Sequence, residues 1–404
     1  MTHEDPTREL LDDPYTVYDR LRTSAPVHRI TGPDGLPVWI VTRYDDVRQG
    51  LADPRLSLDK RHALPGNYRG FSLPPALDAN LLNMDPPDHT RIRRLVTRAF
   101  TARRIEELRK PVRRTADELL DAMAEHGRAD LITAYAAPLP IIVICELLGV
   151  PEYSRQDFRE WSDAMLLPDP AHPQRARDGV ARLLAFFSDL LAHKRERPGD
   201  DLVSALIAVR EERDGREDGG GRPDDRLTED ELISLVFLIL LAGYENTVQL
   251  IGNAVHALLR SPGQLELLRS EPGRIAGAVE ELARYESPAQ LAIRRFPLED
   301  LTIGTTRVPA GETVLLCLGA ANRDPGRFPD PERLDLRRDA TGHLSLGHGI
   351  HYCLGAPLAR LETEVALGAL LERFPRLALD VPESELRRRP SIRARGLIAL
   401  PVRY

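Results

Sequence analysis

The chain has 404 residues, 42% of them hydrophobic and 29% charged, with a formal net charge of -7, a soluble globular composition long enough for one large domain or two to three ordinary ones. The modest net charge calls for no nucleic-acid partner. Cys145, Cys317 and Cys353 are few, odd in number and far apart, which argues against a disulfide framework and for a reducing, cytoplasmic home. The N-terminal "MTHEDPTRELLDDPYTVYDRLR" has no apolar signal region, and the most apolar run, "LISLVFLILLAG", is too short to span a bilayer, so no membrane association is expected.

In chain order, short helical patterns surround an apolar β segment, "LPVWIVT", and a loop rich in Pro and Gly occupies about 64–87. From Thr90 to about Ile207 apolar residues recur at helical spacing, and "PLPIIVICELLGVP" reads as a buried helix bounded by Pro138, Pro140 and Pro151. The charged, glycine-rich "EERDGREDGGGRPDDR" predicts a flexible surface loop. A capping box, Thr228 with Glu231, then opens a helix that runs to Pro262-Gly263. At ~1.5 Å rise per residue it is roughly 50 Å long. Its middle is apolar on nearly every face and should cross the core.

Beyond it come a helix carrying "AVEELARYESP", short strands in "LTIGTTRVPAGETVLLCL", the loop "ANRDPGRFPDPERLDLRRD", a helix from about Ala356 to Phe374 and a terminal β segment, "GLIALPVRY". There is no internal repeat. Helices early and strands late predict a mainly α (α+β) fold around one core. The expected layout is a β-richer part over about 25–60, a helical core over about 90–290, and late β segments with a cysteine loop over about 291–404 of a single domain.

That loop, "HLSLGHGIHYCLGAPLARLE", crowds three histidines around Cys353. Gly347, Gly349 and Gly355 free the backbone to approach a flat object and the sulfur. A helix begins just beyond with Pro357 in its first turn, and the free N–H groups of a helix N-terminus stabilise a thiolate. Three readings of Cys353 compete: an inert buried thiol, a zinc site with His343, His348 and His351 whose spacings match no compact structural motif, and a single axial thiolate to haem iron.

The segment "LGHGIHYCLGAPLAR" closely resembles the cysteine loop of the cytochrome P-450 family, F-G-x-G-x-H-x-C-x-G. "EELAR" resembles that family's E-x-x-R pair, "AGYENT" its oxygen-activation segment, and "MDPPDHTRIRR" the stretch before its haem-edge helix; "ANRDPGRFPDPERLD" matches as well. These landmarks cover the chain from about Asp13 onward in the expected order. The resemblance implies the P-450 fold and a haem-thiolate monooxygenase carrying haem b (iron protoporphyrin IX), with Cys353 on the iron and Gly347 and Gly355 giving the backbone clearance.

Haem brings two propionates that need cationic or N–H partners. His89 and Arg93, at i, i+4 on one helix face, are implied as propionate ligands together with His351 and Arg295. Arg295 is preferred over its neighbour Arg294 because it stands five residues before Asp300, as in the family pattern. Glu281 and Arg284 are implied as a buried structural pair, tied to the "PERLD" loop through Arg333.

In "AGYENT" polar residues interrupt an apolar helix interior, the kind of violation that marks a functional site. Ala242 and Gly243 are expected to leave room for dioxygen, and Glu245 keeps the family's acid, but Asn246 stands where a proton-steering threonine is usual. An amide can hold a water but cannot relay a proton by rotating a hydroxyl. Thr247 lies ~100° further round the helix. A second departure is Leu346 where Phe is usual, which predicts a shifted reduction potential with binding retained.

Pocket walls are expected from the loop before "MDPPDH", from the helices near Met165 to Pro168, from the long helix, from "SPAQLAIRR" and from the terminal β turn. Leu82, Leu238, Leu241, Leu291, Ile293 and Ala394 are the candidates beside Ala242, each equally compatible with plain core packing. They are aliphatic. The resemblance therefore implies a fairly large, mostly aliphatic substrate of polyketide, macrolide, terpenoid or steroid-like kind. Electrons are expected from a ferredoxin and its reductase, docked on Arg91, Arg94, Arg98, Arg103, Arg104 and Arg109, to a monomeric enzyme. Peroxide use, oxidative coupling, desaturation or rearrangement is the alternative; a haem sensor without catalysis and a zinc hydrolase are more distant ones.

Overall fold

The computed structural model describes residues 9–11, 13–32, 34–68, 80–166, 172–211 and 226–404. The charged stretch after Glu211, the middle of the 64–87 loop, and Leu167 with Pro168 lie outside the described residues. The chain divides into two compact units, one of Met1–Phe71, Ala116–Ala136 and Asn246–Tyr404, the other of Ser72–Thr115 and Ala137–Glu245.

The second unit is built from helices, among them Asp88–Ala99, Pro138–Leu148, Arg155–Leu166, Pro173–Glu196 and Leu202–Glu211. Pro138–Leu148 is the apolar helix expected from its sequence, with Pro138 at its start. It ends at Gly149, whose φ of 66° is left-handed. A side chain at Gly149 would collide with the Lys194–Asp201 ion pair, 2.6 Å apart and nearly sealed from water.

The other unit holds the sheets. Val27–Thr31 pairs antiparallel with Pro37–Val41, which pairs parallel with Val314–Leu316. The "LPVWIVT" segment supplies the middle strand, and its alternation feeds two cores: Val38 and Ile40 pack with Leu10, Tyr18, Leu315 and Cys317, whereas Trp39 and Val41 pack with Tyr44, Leu51, Leu316 and Phe328. The terminal β segment contracts to Pro401–Arg403, which pairs with Arg128–Asp130 and Ala378–Leu379.

The long helix spans Glu229–Leu259. Its capping box forms as the sequence predicts: the Thr228 N–H donates to Glu231 at 2.8 Å and the Glu231 N–H donates to Thr228 Oγ1 at 3.1 Å. By length and composition it could cross a membrane, but most of its apolar window is buried inside the protein, as in a core helix. The passage from one unit to the other falls within it, between Glu245 and Asn246.

The Ile275–Tyr285 helix carries the E-x-x-R pair. Both side chains are fully buried. Arg284 donates twice to Glu281, at 2.7 and 2.9 Å, and to the carbonyls of Asn322 and Pro331 at 2.8 and 3.1 Å. Glu281 also accepts the Asp335 N–H at 3.1 Å and Arg338 Nε at 3.2 Å. The third charge is thus Arg338 and not Arg333, which is exposed and pairs with Asp335. Arg338 wins because it caps the turn, donating to the carbonyls of Asp330 and Arg333 as well.

Asn322 carries this network forward, accepting the Leu344 N–H at 2.6 Å and donating to Ser345 Oγ at 2.8 Å. Ser345 in turn donates to the Ala283 carbonyl at 2.7 Å. The helix and the start of the cysteine loop are therefore pinned to each other.

Two predictions follow from the buried charges. Glu281→Gln leaves Arg284 without its counter-charge and should cost about 3–5 kcal/mol in chemical denaturation; a loss within error of zero would refute the account. His256, 3% exposed, has its imidazole lowered to about 4 by burial first and then by Arg388 and Arg260, against Glu286 and Glu383. A depressed histidine stabilises the fold fully above its ordinary value of 6.5 and loses that contribution as pH falls toward 4. The stability lost over that window should be about 3 kcal/mol, and His256→Phe should abolish that part of the pH dependence.

Candidate active site around Cys353

Cys353 follows a single 3-10 turn, Gly349–His351, and precedes the Ala356–Arg373 helix. Gly347 and Gly349 adopt φ of 75° and 73°, which only glycine enters without strain. Gly349 also lies so close to Leu51 and Ala52 that a Cβ would sit 3.1 Å from both. The Cys353 N–H donates to the Leu346 carbonyl at 2.9 Å and the Tyr352 N–H to the Gly349 carbonyl at 3.0 Å, closing the loop on itself.

Of the three cysteines only Cys353 is exposed. Burial pushes the Cys145 thiol up to about 12 and Cys317 higher still, so both are inert apolar packing. A Cβ at Gly355 would meet the Cys353 sulfur at 3.9 Å, and one at Gly347 would meet only backbone. The thiol is therefore exposed on a loop in which Gly347, Gly349 and Gly355 carry no side chain, just before a helix N-terminus. This donor and this clearance fit a flat group bound through one thiolate.

The zinc reading does not assemble. His343 accepts the Ser345 N–H through Nδ1 at 3.2 Å and meets Glu280 through Nε2 at 3.2 Å. Among the described residues no three His, Cys, Asp or Glu side chains converge. His351 is half-buried beside Cys353. Arg295, 4% exposed, donates to the Leu56 and Leu51 carbonyls at 3.2 and 3.4 Å, so it and Gly349 of the cysteine loop meet the same helix end. Arg294 is stacked over Tyr68 and Phe296.

His89 and Arg93 stand one turn apart on Asp88–Ala99 in the helical unit, His89 buried and Arg93 half-buried. On the long helix, Ala242 and Asn246 are exposed and Leu241 and Glu245 half-covered, whereas Leu238 and Thr247 are buried. One stripe of an otherwise core helix is thus left open, and Asn246, not Thr247, lies on it. Gly243 is turned off that stripe: a Cβ there would come within 3.2 Å of Ile144. The missing side chain at Gly243 thus serves close packing against Ile144.

The other pocket candidates divide. Leu82 and Ile293 are half-buried, and Ala394 is half-buried and bridges to Ala289. Leu291 packs in the core with Val38, Ile40 and Cys317. The arginine cluster is largely spent on nearby acids: Arg91 on Glu231, Arg103 on Glu107, Arg104 on Asp200 and Arg109 on Glu106. Sequence reasoning missed Glu280, Tyr352 and Arg360, which hold the loop from its other side. The doubled acid of "EELAR" and the arginine one helical turn into "APLAR" were the available signals.

A family profile described as Cytochrome P450 matches residues 172–392. The cytochrome P450 monooxygenase PikC of Streptomyces venezuelae is 49% identical over 97% of this chain and 91% of its own length. The 6-deoxyerythronolide B hydroxylase of Saccharopolyspora erythraea is 44% identical over 97% and 96%. Among solved structures, the ligand-free P450 monooxygenase TamI superposes with a TM-score of 0.88 at 45% identity, covering 99% of this chain and 93% of that one. The bacillaene polyketide synthase P450 PksS of Bacillus subtilis gives 0.89 at 38%, covering 100% and 99%. With the exposed Cys353 on its glycine-framed loop, these likenesses show that the chain belongs to the cytochrome P450 family of haem-dependent monooxygenases.

Proposed function

We propose that the enzyme inserts one oxygen atom of O2 into a fairly large, mostly aliphatic molecule of polyketide or macrolide type, with electrons from a ferredoxin and its reductase. The observation that carries the reading is Cys353, the one exposed thiol, framed by Gly347 and Gly355. Cys353 would ligate the iron of haem b, with His89, Arg93, Arg295 and His351 holding the propionates. Bound haem supplies the oxygen chemistry, the thiolate pushing electron density that favours O–O cleavage.

The chain's own residues do the rest. The exposure of Ala242 and Asn246 on the long helix supports assigning Ala242 as the small residue beside dioxygen and Asn246 as the polar one. Protons would arrive through an ordered water held by the Asn246 amide and Glu245, or through a hydroxyl of the substrate, in place of the usual threonine hydroxyl. Leu82, Leu238, Leu241, Leu291, Ile293 and Ala394 are the proposed aliphatic contacts for such a substrate, Leu291 as a member of the core cluster. Relatives named as a 6-deoxyerythronolide B hydroxylase and a mycinamicin IV hydroxylase/epoxidase support a macrolide-type substrate, and one named as a vitamin D(3) 25-hydroxylase extends the range to steroid-like compounds. We further propose a monomeric cytoplasmic enzyme that acts as a single domain. Asn246 favours a second reading, in which the same fold uses peroxide or catalyses coupling, desaturation or rearrangement.

The reduced protein should give a strongly red-shifted band with carbon monoxide, and Cys353→Ala should lose it; a band that survives the substitution overturns the assignment. Asn246→Thr should change the fraction of electrons that reach product, measured as product per NADPH with a surrogate ferredoxin pair. Unchanged coupling would remove Asn246 from the proton path.

A further inference from the structure

Glu280 sits directly before the buried Glu281 on the Ile275–Tyr285 helix, yet it faces a different set of partners. Arg360 grips it with two parallel bonds, Nε to Oε1 at 2.6 Å and Nη2 to Oε2 at 2.8 Å. His343 adds a third contact at 3.2 Å. Because His343 Nδ1 accepts the Ser345 N–H, the ring proton sits on Nε2 and is donated to Glu280. The remaining Arg360 nitrogen, Nη1, donates to the Tyr352 hydroxyl at 3.0 Å, and Tyr352 is bonded in sequence to Cys353.

We propose that His343, Glu280, Arg360 and Tyr352 form a positioning relay that fixes the peptide in front of Cys353 and so sets the orientation and electrostatic surroundings of its thiolate. The inference rests on the reading of Cys353 as the iron ligand. It gives His343, left over by the zinc reading, a task.

Four chain segments meet in this relay: the Ile275–Tyr285 helix, the stretch leading into the loop, the loop itself and the Ala356–Arg373 helix. Arg360 and Glu280 are partly exposed, with 37% and 26% of their side chains accessible. A pair this exposed contributes little to global stability. Its geometry is nonetheless tight, because a planar guanidinium engaged by both carboxylate oxygens has one direction left for its third nitrogen, and Tyr352 lies there. The Glu280 carboxyl is held at about 2: burial pushes it up, but the bonds from Arg360 and His343 outweigh that, so the anchor stays ionised at working pH. Lysine would keep the charge at position 360 but could not serve Glu280 twice and Tyr352 at once. The relay is therefore specified by side-chain shape as well as charge.

The test uses the haem-loaded protein and three variants, Tyr352→Phe, Arg360→Lys and Glu280→Gln, with Arg373→Ala, which removes an exposed pair with Asp121, as the control. Midpoint potential, the position of the reduced carbon-monoxide band and thermal stability are measured on each. The expected result is a shifted potential and a several-fold larger share of carbon-monoxide complex lacking the thiolate band in the relay variants, with both unchanged in Arg373→Ala. Relay variants that match the control in potential and band overturn the proposal, whatever their stability. Should Glu280→Gln fail to fold, Tyr352→Phe, which deletes one oxygen from a half-buried ring, decides alone. A wild-type protein without the red-shifted band instead overturns the haem-thiolate reading itself, and the relay falls with it.

Discussion

The buried pair of Glu281 and Arg284 is the interaction on which the arrangement around Cys353 depends. Taking both charges out of water is expensive, and the pair is tolerated because almost every donor and acceptor it brings is used: Arg284 by two backbone carbonyls besides Glu281, Glu281 by a backbone N–H and Arg338. The same bonds that compensate the burial also fix irregular backbone. Through Asn322 and Ser345 they reach Leu344, two residues before the carbonyl that receives the Cys353 N–H. A loop with two left-handed glycines has many alternatives in isolation. Here its entry is held by a network anchored on a fully buried ion pair.

Two adjacent acids on one helix thereby hold the loop in different ways. Glu281 works from the dry interior and fixes where the loop begins, whereas Glu280 works at the half-exposed edge and reaches the residue that precedes the sulfur. The division follows from helical geometry, because neighbouring residues point ~100° apart. One face is sealed and the other remains reachable by water.

Much of this was legible in the sequence where the signal is local. The Thr228–Glu231 capping box, the strand at "LPVWIVT", the helix closed by Gly149 and the Glu281–Arg284 spacing all depend on residues a few positions apart. What was not legible depends on distant partners or on the rotation of a helix. Arg338 and Arg333 are indistinguishable by composition, and only the turn at Asp330, with its φ of 47°, brings one of them to Glu281. His343 read as a spare metal ligand because Glu280 lies 63 residues earlier. Gly243 and Ala242 looked equivalent until Ile144 placed one of them against another helix. Leu291 packs in the core with Cys317, the outcome that its aliphatic side chain allowed from the start.

The exposure of Asn246 and the burial of Thr247 also limit how this site can change. Slipping the long helix by one residue would exchange the two and bring a hydroxyl to the open stripe. It would also turn every apolar residue of the helix by the same angle, carrying Leu240 and Val236 out of the core they now fill. The packing of the helix thus locks its register, and the identity of the exposed residue can be altered by substitution but not by insertion or deletion.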